Sequence, residues 1–98
     1  MSHKILWFQH LHKCAGSSVI EGARTNGLKF YPWHANGNPK DESGKELELW
    51  NYTSAELAAF LDHVRNLSVS FIATEWGGPC FRTLYEQADV RVVTVIRN

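Results

Sequence analysis

The chain is short and its charges balance. It has 98 residues, with ten Lys and Arg against ten Asp and Glu, so its formal net charge is zero. This length fits one small domain, which buries roughly 60 to 68% of its unfolded surface, and it excludes a second domain. A zero net charge argues against a broad DNA- or RNA-binding face, which would need an excess of Lys and Arg. Any binding of anions must therefore be local.

Membrane and secretion signals are not evident in the sequence. No apolar run approaches the roughly 18 to 20 residues that span a bilayer, and the first apolar run starts at Ile5, too early for a signal peptide. We therefore expect a soluble, cytoplasmic chain. The two cysteines, Cys14 and Cys80, are too few for a disulfide scaffold and fit a reducing compartment. A bridge between them remains open.

The stretch Ile5–Gly22 predicts a strand, a tight loop and a helix. Ile5–Phe8 is apolar and branched or aromatic, as in a strand buried on both faces. The pattern breaks at residues 13–16, and helical spacing begins at Val19. Such a loop aims backbone N–H groups at one point, and the helix dipole adds positive charge, so the element suits a phosphate or sulfate.

The residue types in this loop also suit an anion. Gly16 lets the backbone approach closely, and Ser17 or Ser18 can cap the helix and donate a hydroxyl. Lys13 adds a full charge, worth roughly 4 kcal/mol at about 4 Å and an effective dielectric near 20, before desolvation. The loop is not a Walker A motif, because its lysine precedes the glycine.

The nine residues 10–18, HLHKCAGSS, resemble the phosphosulfate-binding loop H-I-x-K-T-G-G-T-S of sulfotransferases that use 3′-phosphoadenosine 5′-phosphosulfate (PAPS), especially the carbohydrate, heparan sulfate branch. The positions that match are His10, Lys13, Gly16 and Ser18. Cys14 stands where threonine is usual, and Ala15 where glycine is usual. The resemblance implies PAPS as cofactor, without a metal, and a hydroxyl acceptor, with carbohydrate favoured.

The middle of the chain contains a turn-rich segment and one well-marked helix. Asn26-Gly27 ends the first helix, residues 28–33 read as a short edge strand or extended loop, and residues 35–45 as a surface loop or flexible insertion. Thr53-Ser54-Ala55-Glu56 is a capping box, and the apolar spacing after it predicts a helix ending near Asn66.

The last third of the chain predicts two further strands with a short helix between them. The strands are Val69–Thr74 and Val90–Ile96, the second with nearly continuous branched residues, as in a strand covered on both faces. The intervening helix has an apolar stripe that consists of Phe81, Leu84, Tyr85 and Ala88.

Alternating strands and helices predict right-handed βαβ units and a parallel sheet, with ligands beyond the carboxyl ends of the strands. Lys13, Glu75 and Arg97 each follow a predicted strand and should lie along one rim. The run VTVIRN at 93–98 resembles the strand and arginine that open the 3′-phosphate-binding motif of the same sulfotransferases. The resemblance implies that residues 1–98 are the amino-terminal part of a three-layer, P-loop-like sulfotransferase domain, which would act in the Golgi lumen if the chain belongs to a longer membrane-anchored protein.

Each site residue has a functional role and a plainer alternative. Lys13 would stabilise the leaving group, with the amides of Cys14 to Ser18 as a cradle, or it is an exposed lysine in a strand-to-helix turn. Glu75 is the candidate base, since Trp76 could desolvate it and raise its pKa, or it caps a turn or pairs with an arginine. Arg97 binds the 3′-phosphate or simply ends a strand.

The histidines are weaker candidates for site residues than Lys13, Glu75 and Arg97. His10 and His12 alternate along a strand, which is compatible with a metal, but no third ligand has suitable spacing and His10 falls on the resemblance motif. His34 and His63 are secondary candidates for the base. The expected function is sulfuryl transfer from PAPS to a hydroxyl. The alternatives are a nucleoside-triphosphate-dependent kinase or hydrolase, and a non-catalytic, truncated nucleotide-binding domain.

Overall fold

The structure, a computed structural model, describes residues 4–9, 16–35, 37–74 and 79–94, with the backbone alone at 16–18. In chain order its elements are β1 (Ile5–Gln9), α1 (Gly16–Thr25), β2 (His34–Ala35), β3 (Asn38–Pro39), a 3-10 helix (Leu49–Asn51), α2 (Ser54–Asn66), β4 (Phe71–Thr74), α3 (Phe81–Tyr85) and β5 (Val90–Thr94).

Three strands form a parallel sheet in the order β4-β1-β5. β1 pairs with β4 from Leu6 opposite Phe71 to Gln9 opposite Thr74, and with β5 from Ile5 opposite Val90 onward. The central strand therefore has a parallel neighbour on each side, which confirms the predicted α/β class and parallel sheet.

The sheet has an apolar core on each face. Ile5 and Trp7 of β1 belong to a large cluster with residues of α2 and α3, whereas Phe8 belongs to a smaller cluster with residues of α1. All three of these side chains are fully buried. The alternation follows from the period of two in a strand, and it explains why β1 has apolar residues on both faces.

Helix α1 ends where the sequence predicts. The Leu28 N–H donates to the Ala23 carbonyl at 3.0 Å and the Gly27 N–H to the Arg24 carbonyl at 3.1 Å, which together form a Schellman motif. Gly27 has φ of 75°, a left-handed conformation that glycine adopts without strain. The prediction of a stop at Asn26-Gly27 is confirmed.

Helix α2 is the best-specified element. The Thr53 hydroxyl accepts from the Glu56 N–H at 3.1 Å, and the Glu56 carboxylate accepts from the Thr53 N–H at 2.9 Å, so the predicted capping box is present. The helix buries four apolar side chains, Leu57, Phe60, Leu61 and Val64. Within the described residues no helix has the length and apolar character to span a bilayer.

The structure corrects the expectations for α3 and β5. Helix α3 ends at Tyr85, whose side chain is 70% exposed, and Ala88 lies beyond the helix, so the predicted four-residue stripe is wrong for these two positions. Over residues 90–94, β5 is not covered on both faces, since Arg91 and Val93 are exposed. Branched residues raise strand propensity in open positions too, and therefore did not distinguish a covered strand from a half-open one.

β pairings occur in the described parts of both segments, 28–33, expected to be an edge strand or extended loop, and 35–45, expected to be a surface loop or flexible insertion. Phe30 forms a single parallel bridge with Phe71, and β2 and β3 form a small antiparallel hairpin. Gly37 lies against β4, where its carbonyl accepts from the Ala73 N–H at 3.0 Å. A Cβ at Gly37 would come within 2.9 Å of the Ala73 Cβ, and its φ is 89°. Only glycine fits this contact, which was not evident from the turn-rich composition.

Candidate functional site

Most of the residues proposed for the site lie outside the part of the chain that the structure describes. Lys13, Cys14, Ala15, Glu75 and Arg97 all lie outside the described residues. Gly16, Ser17 and Ser18 are the first three residues of α1. The roles proposed for these residues therefore remain predictions, and the described part of the site is the edge from which they follow.

This edge, which we call the carboxyl edge, is formed by the last residues of the three parallel strands. Gln9 of β1 pairs with Thr74 of β4 on one side and with Thr94 of β5 on the other. Because the strands are parallel and in register, their ends lie at the same end of the sheet. Lys13, Glu75 and Arg97 follow these residues by four, one and three positions in the sequence.

Hydrogen bonds join the three strands across this edge. The indole N–H of Trp7 donates to the Thr74 hydroxyl at 3.1 Å, and that hydroxyl donates to the Gln9 side-chain oxygen at 2.5 Å. The Thr94 hydroxyl donates to the Gln9 carbonyl at 3.0 Å. Gln9 and Thr74 are buried, so these bonds satisfy polar groups that would otherwise be costly, and they fix the spacing of the strand ends.

Helix α1 begins at Gly16, seven positions after β1 ends. Its first turn carries no acidic residue, and its last turn carries Arg24. An acidic side chain in the first turn would already neutralise the positive end of the dipole. The positive end of the α1 dipole is therefore not neutralised by an acidic residue of its own first turn.

The described histidines do not gather into a metal site. Within residues 4–9, 16–35, 37–74 and 79–94 there is no group of three or more metal-ligating side chains, while His10 and His12 lie outside these ranges. His34 Nδ1 accepts from the Gly37 N–H at 3.1 Å, and burial together with the nearby Arg24 lowers the pKa of His34. His63 is exposed on α2 and stacks edgewise on Tyr31.

Sequence reasoning missed the polar residues that end the strands. Gln9 follows four apolar residues of β1, and Thr74 follows Phe71, Ile72 and Ala73 of β4. A polar residue directly after a buried apolar run was the available signal, since such a residue must find a partner at the end of the sheet.

Comparison with known proteins adds no family assignment. No protein-family model matches the chain, and neither the curated proteins nor the solved structures contain a significant match to it.

Proposed function

We propose that the chain is the amino-terminal part of a sulfotransferase domain of P-loop type that binds PAPS and transfers its sulfuryl group to a hydroxyl, with carbohydrate as the favoured acceptor. The loop sequence of residues 10–18 suggests the cofactor. The observation that carries the proposal is the carboxyl edge, because ligands of open parallel sheets bind beyond the carboxyl ends of the strands. We place its action in the cytoplasm, or in the Golgi lumen if the chain is part of a membrane-anchored protein.

Two described features support an anion at this edge. Helix α1 starts shortly after the central strand and has no acid in its first turn. The polar residues that end the strands, Gln9, Thr74 and Thr94, are all neutral, so the described part of the edge adds no negative charge that would repel a phosphosulfate.

The proposed chemistry divides among three residues. In the transfer, the bond from sulfur to the 5′-phosphate oxygen breaks, a bond from sulfur to the acceptor oxygen forms, and the acceptor proton passes to a base. Lys13 stabilises the charge on the departing phosphate, Glu75 takes the proton, and Arg97 holds the 3′-phosphate. By analogy with phosphoryl transfer, positioning and electrostatics provide most of the rate enhancement.

Calorimetry with adenosine 3′,5′-bisphosphate, without Mg²⁺, tests the cofactor. We expect the wild-type chain to bind it and Lys13→Ala to lose at least about tenfold in affinity, because a full charge near the phosphate disappears. Lys45→Ala is the matched control, since it removes the same charge from an exposed residue of the 40–46 turn and should leave binding unchanged.

The remaining outcomes separate the rival functions. Binding of Mg-ATP, with no binding of the bisphosphate, would contradict the proposal in favour of a kinase or hydrolase. Binding of neither nucleotide would leave a non-catalytic domain as the function. In the full-length protein, Glu75→Gln should lower turnover while leaving cofactor affinity nearly intact, and unchanged turnover would remove Glu75 from the mechanism.

A further inference from the structure

A pocket of about 190 Å³ opens at the carboxyl edge, between the ends of β1 and β5 and helix α3. Five described side chains line it: Gln9, Phe81, Tyr85, Val92 and Thr94. The pocket lies on the face of the sheet that α2 and α3 cover, because Phe81 and Val92 pack against the large core cluster of that face. It is thus on the opposite face from α1.

The size of the pocket suits the ring system of a ligand. Pockets for drug-sized ligands measure about 300–1,000 Å³. A volume of about 190 Å³ lies below this range, so the described pocket suits one planar ring system, with the rest of a larger ligand outside it.

The lining suits a flat ring with apolar faces and a polar rim. Phe81, Tyr85 and Val92 present apolar or aromatic surface, and Tyr85 is 70% exposed although it belongs to a helix. The polar groups are the amide of Gln9 and the hydroxyl of Thr94. The Thr94 hydroxyl donates its proton to the Gln9 carbonyl, so toward a ligand it acts as a hydrogen-bond acceptor. Aromatic surface with few polar groups favours a heteroaromatic base over a sugar, which would require many hydrogen bonds.

The position of the pocket indicates which part of a bound nucleotide would occupy it. Gln9 ends the strand that leads to Lys13, and Thr94 ends the strand that leads to Arg97. These are the residues proposed to hold the 5′ and 3′ groups of the same nucleotide, so the pocket lies between the two anchoring strands. We propose that it holds the purine ring of the bound nucleotide, with Tyr85 stacked on the ring. This inference rests on the proposed nucleotide binding.

The test compares a ligand with and without its base. The affinity of the chain for adenosine 3′,5′-bisphosphate and for 1-O-methylribose 3,5-bisphosphate would be measured by calorimetry in wild type, Tyr85→Ala and Tyr85→Phe. Trp50→Ala is the control, because Trp50 is also an exposed aromatic residue, at 46%, and does not line the pocket. Since Tyr85 is largely exposed, its replacement should leave the fold intact, which circular dichroism would check.

We expect Tyr85→Ala to lower the affinity for adenosine 3′,5′-bisphosphate by about tenfold or more, which is the effect of losing one stacked base. The affinity for the ligand without a base should not change. Tyr85→Phe retains the ring and should stay within about twofold of wild type. Unchanged affinity in Tyr85→Ala, or an equal loss for both ligands, would overturn this inference while the proposed function stands. If wild type binds neither ligand, both proposals fail.

Discussion

The two ends of the parallel sheet are held together by different kinds of contact. At the amino end, Arg65 of α2 reaches the loop before β5, where its guanidinium donates to Asp89 at 2.7 and 2.9 Å and to Gln87 at 2.8 Å. The Lys29 ammonium donates to the Leu67 carbonyl at 2.7 Å. Charged groups thus fix the entry into β5 and the exit from α2.

At the carboxyl edge, the contacts among the described residues join neutral groups. Gln9, Thr74 and Thr94 join the strand ends through hydroxyl, amide and carbonyl groups. The Ala73 N–H of β4 donates to the carbonyl of Gly37, which lies between β2 and β3. Beside these contacts lies the pocket that α3 borders.

Under the proposed function, ligand binding takes place at the opposite end of the sheet from the Arg65 contacts. Ligand-binding elements are drawn from the less stable parts of a fold, because they must open or adapt. Helix α2 touches both ends, since Arg65 bonds to Asp89 and Ser54 accepts from the Thr83 hydroxyl of α3 at 3.2 Å. Substitutions along α2 and α3 can therefore test whether the two ends differ in strength.

The largest effect is expected from truncation of a core leucine in α2. Leu61 and Leu84 are both fully buried in the same core cluster, one in α2 and the other in α3. Core Leu→Ala substitutions cost about 2–5 kcal/mol, and the cost rises with the cavity left behind. Leu61→Ala should fall in the upper half of this range, because α2 is long and held at both ends, and Leu84→Ala in the lower half, because α3 has five residues and can shift.

Urea unfolding of both variants measures these two costs. Equal losses, or a larger loss for Leu84→Ala, would mean that α3 is as firmly held as α2, and the proposed contrast between the ends would be wrong. The m-value checks that both variants still unfold from the same native state.

The next effect is the loss of the Arg65 contacts. Arg65→Ala removes four side-chain hydrogen bonds, two to Asp89 and one each to Gln87 and Asp62. The side chains of Arg65 and Asp89 are 29% and 24% exposed. We expect a loss of about 1–3 kcal/mol in the free energy of unfolding, since hydrogen bonds to charged groups contribute about 1.5–3 kcal/mol and partial exposure reduces this.

Glu21→Ala provides the control for Arg65. Glu21 pairs with Arg24 at 3.6 Å, and both side chains are more than half exposed, at 70% and 58%. Exposed ion pairs contribute about 0–1 kcal/mol, so this variant should unfold close to wild type. A similar small change for Arg65→Ala would show that the amino end does not depend on its charges.

The sequence predicted features that depend on neighbouring residues better than features that depend on distant ones. The capping box of α2 and the glycine stop of α1 follow from a few neighbouring residues, and both were predicted. The contact of Gly37 with Ala73 joins residues 36 positions apart, and nothing in the local turn composition indicates it. The exposure of β5 likewise depends on which helices cover the sheet, which branched residues alone do not determine.

The candidate site shows the same limit. A parallel sheet was expected from the alternation of strands and helices, and the parallel pairing of β1 with β4 and β5 confirms it. Tyr85 was expected to belong to the apolar stripe of a helix that continues to Ala88, because helical spacing indicates which residues share a face and not where the helix ends. Its exposure beside a pocket could be seen only once the fold was known.

A smaller effect is expected at the first turn of α2. Thr53→Ala removes the hydroxyl that accepts from the Glu56 N–H and should cost about 1 kcal/mol, the usual value for an N-cap. Thr53→Ser retains the hydroxyl and should be nearly neutral. Urea unfolding compares the two variants, and equal stability would show that the cap does not contribute.

Because Ser54 contacts Thr83, hydrogen exchange in α3 should also increase in Thr53→Ala if α2 supports the carboxyl edge.

The smallest effect concerns the hairpin beside this edge and depends on pH. The pKa of His34 is lowered by burial and by Arg24, so the folded chain favours the neutral ring. The unfolded chain therefore binds more protons over the interval below the ordinary pKa of about 6.5. The stabilising contribution is complete above this value and decreases as the pH falls toward the lower, folded-state pKa.

A mechanism for this loss is visible in the hairpin. A proton on Nδ1 of His34 prevents it from accepting the Gly37 N–H, and the same residue, Gly37, holds the hairpin to Ala73. His34→Asn retains an acceptor and removes the titration. The difference in unfolding free energy between about pH 7.5 and pH 5.5 should therefore be smaller in His34→Asn than in wild type, by at most the 0.5–1.5 kcal/mol of about one hydrogen bond. An identical pH dependence in both proteins would show that protonation of His34 does not weaken the hairpin beside the carboxyl edge.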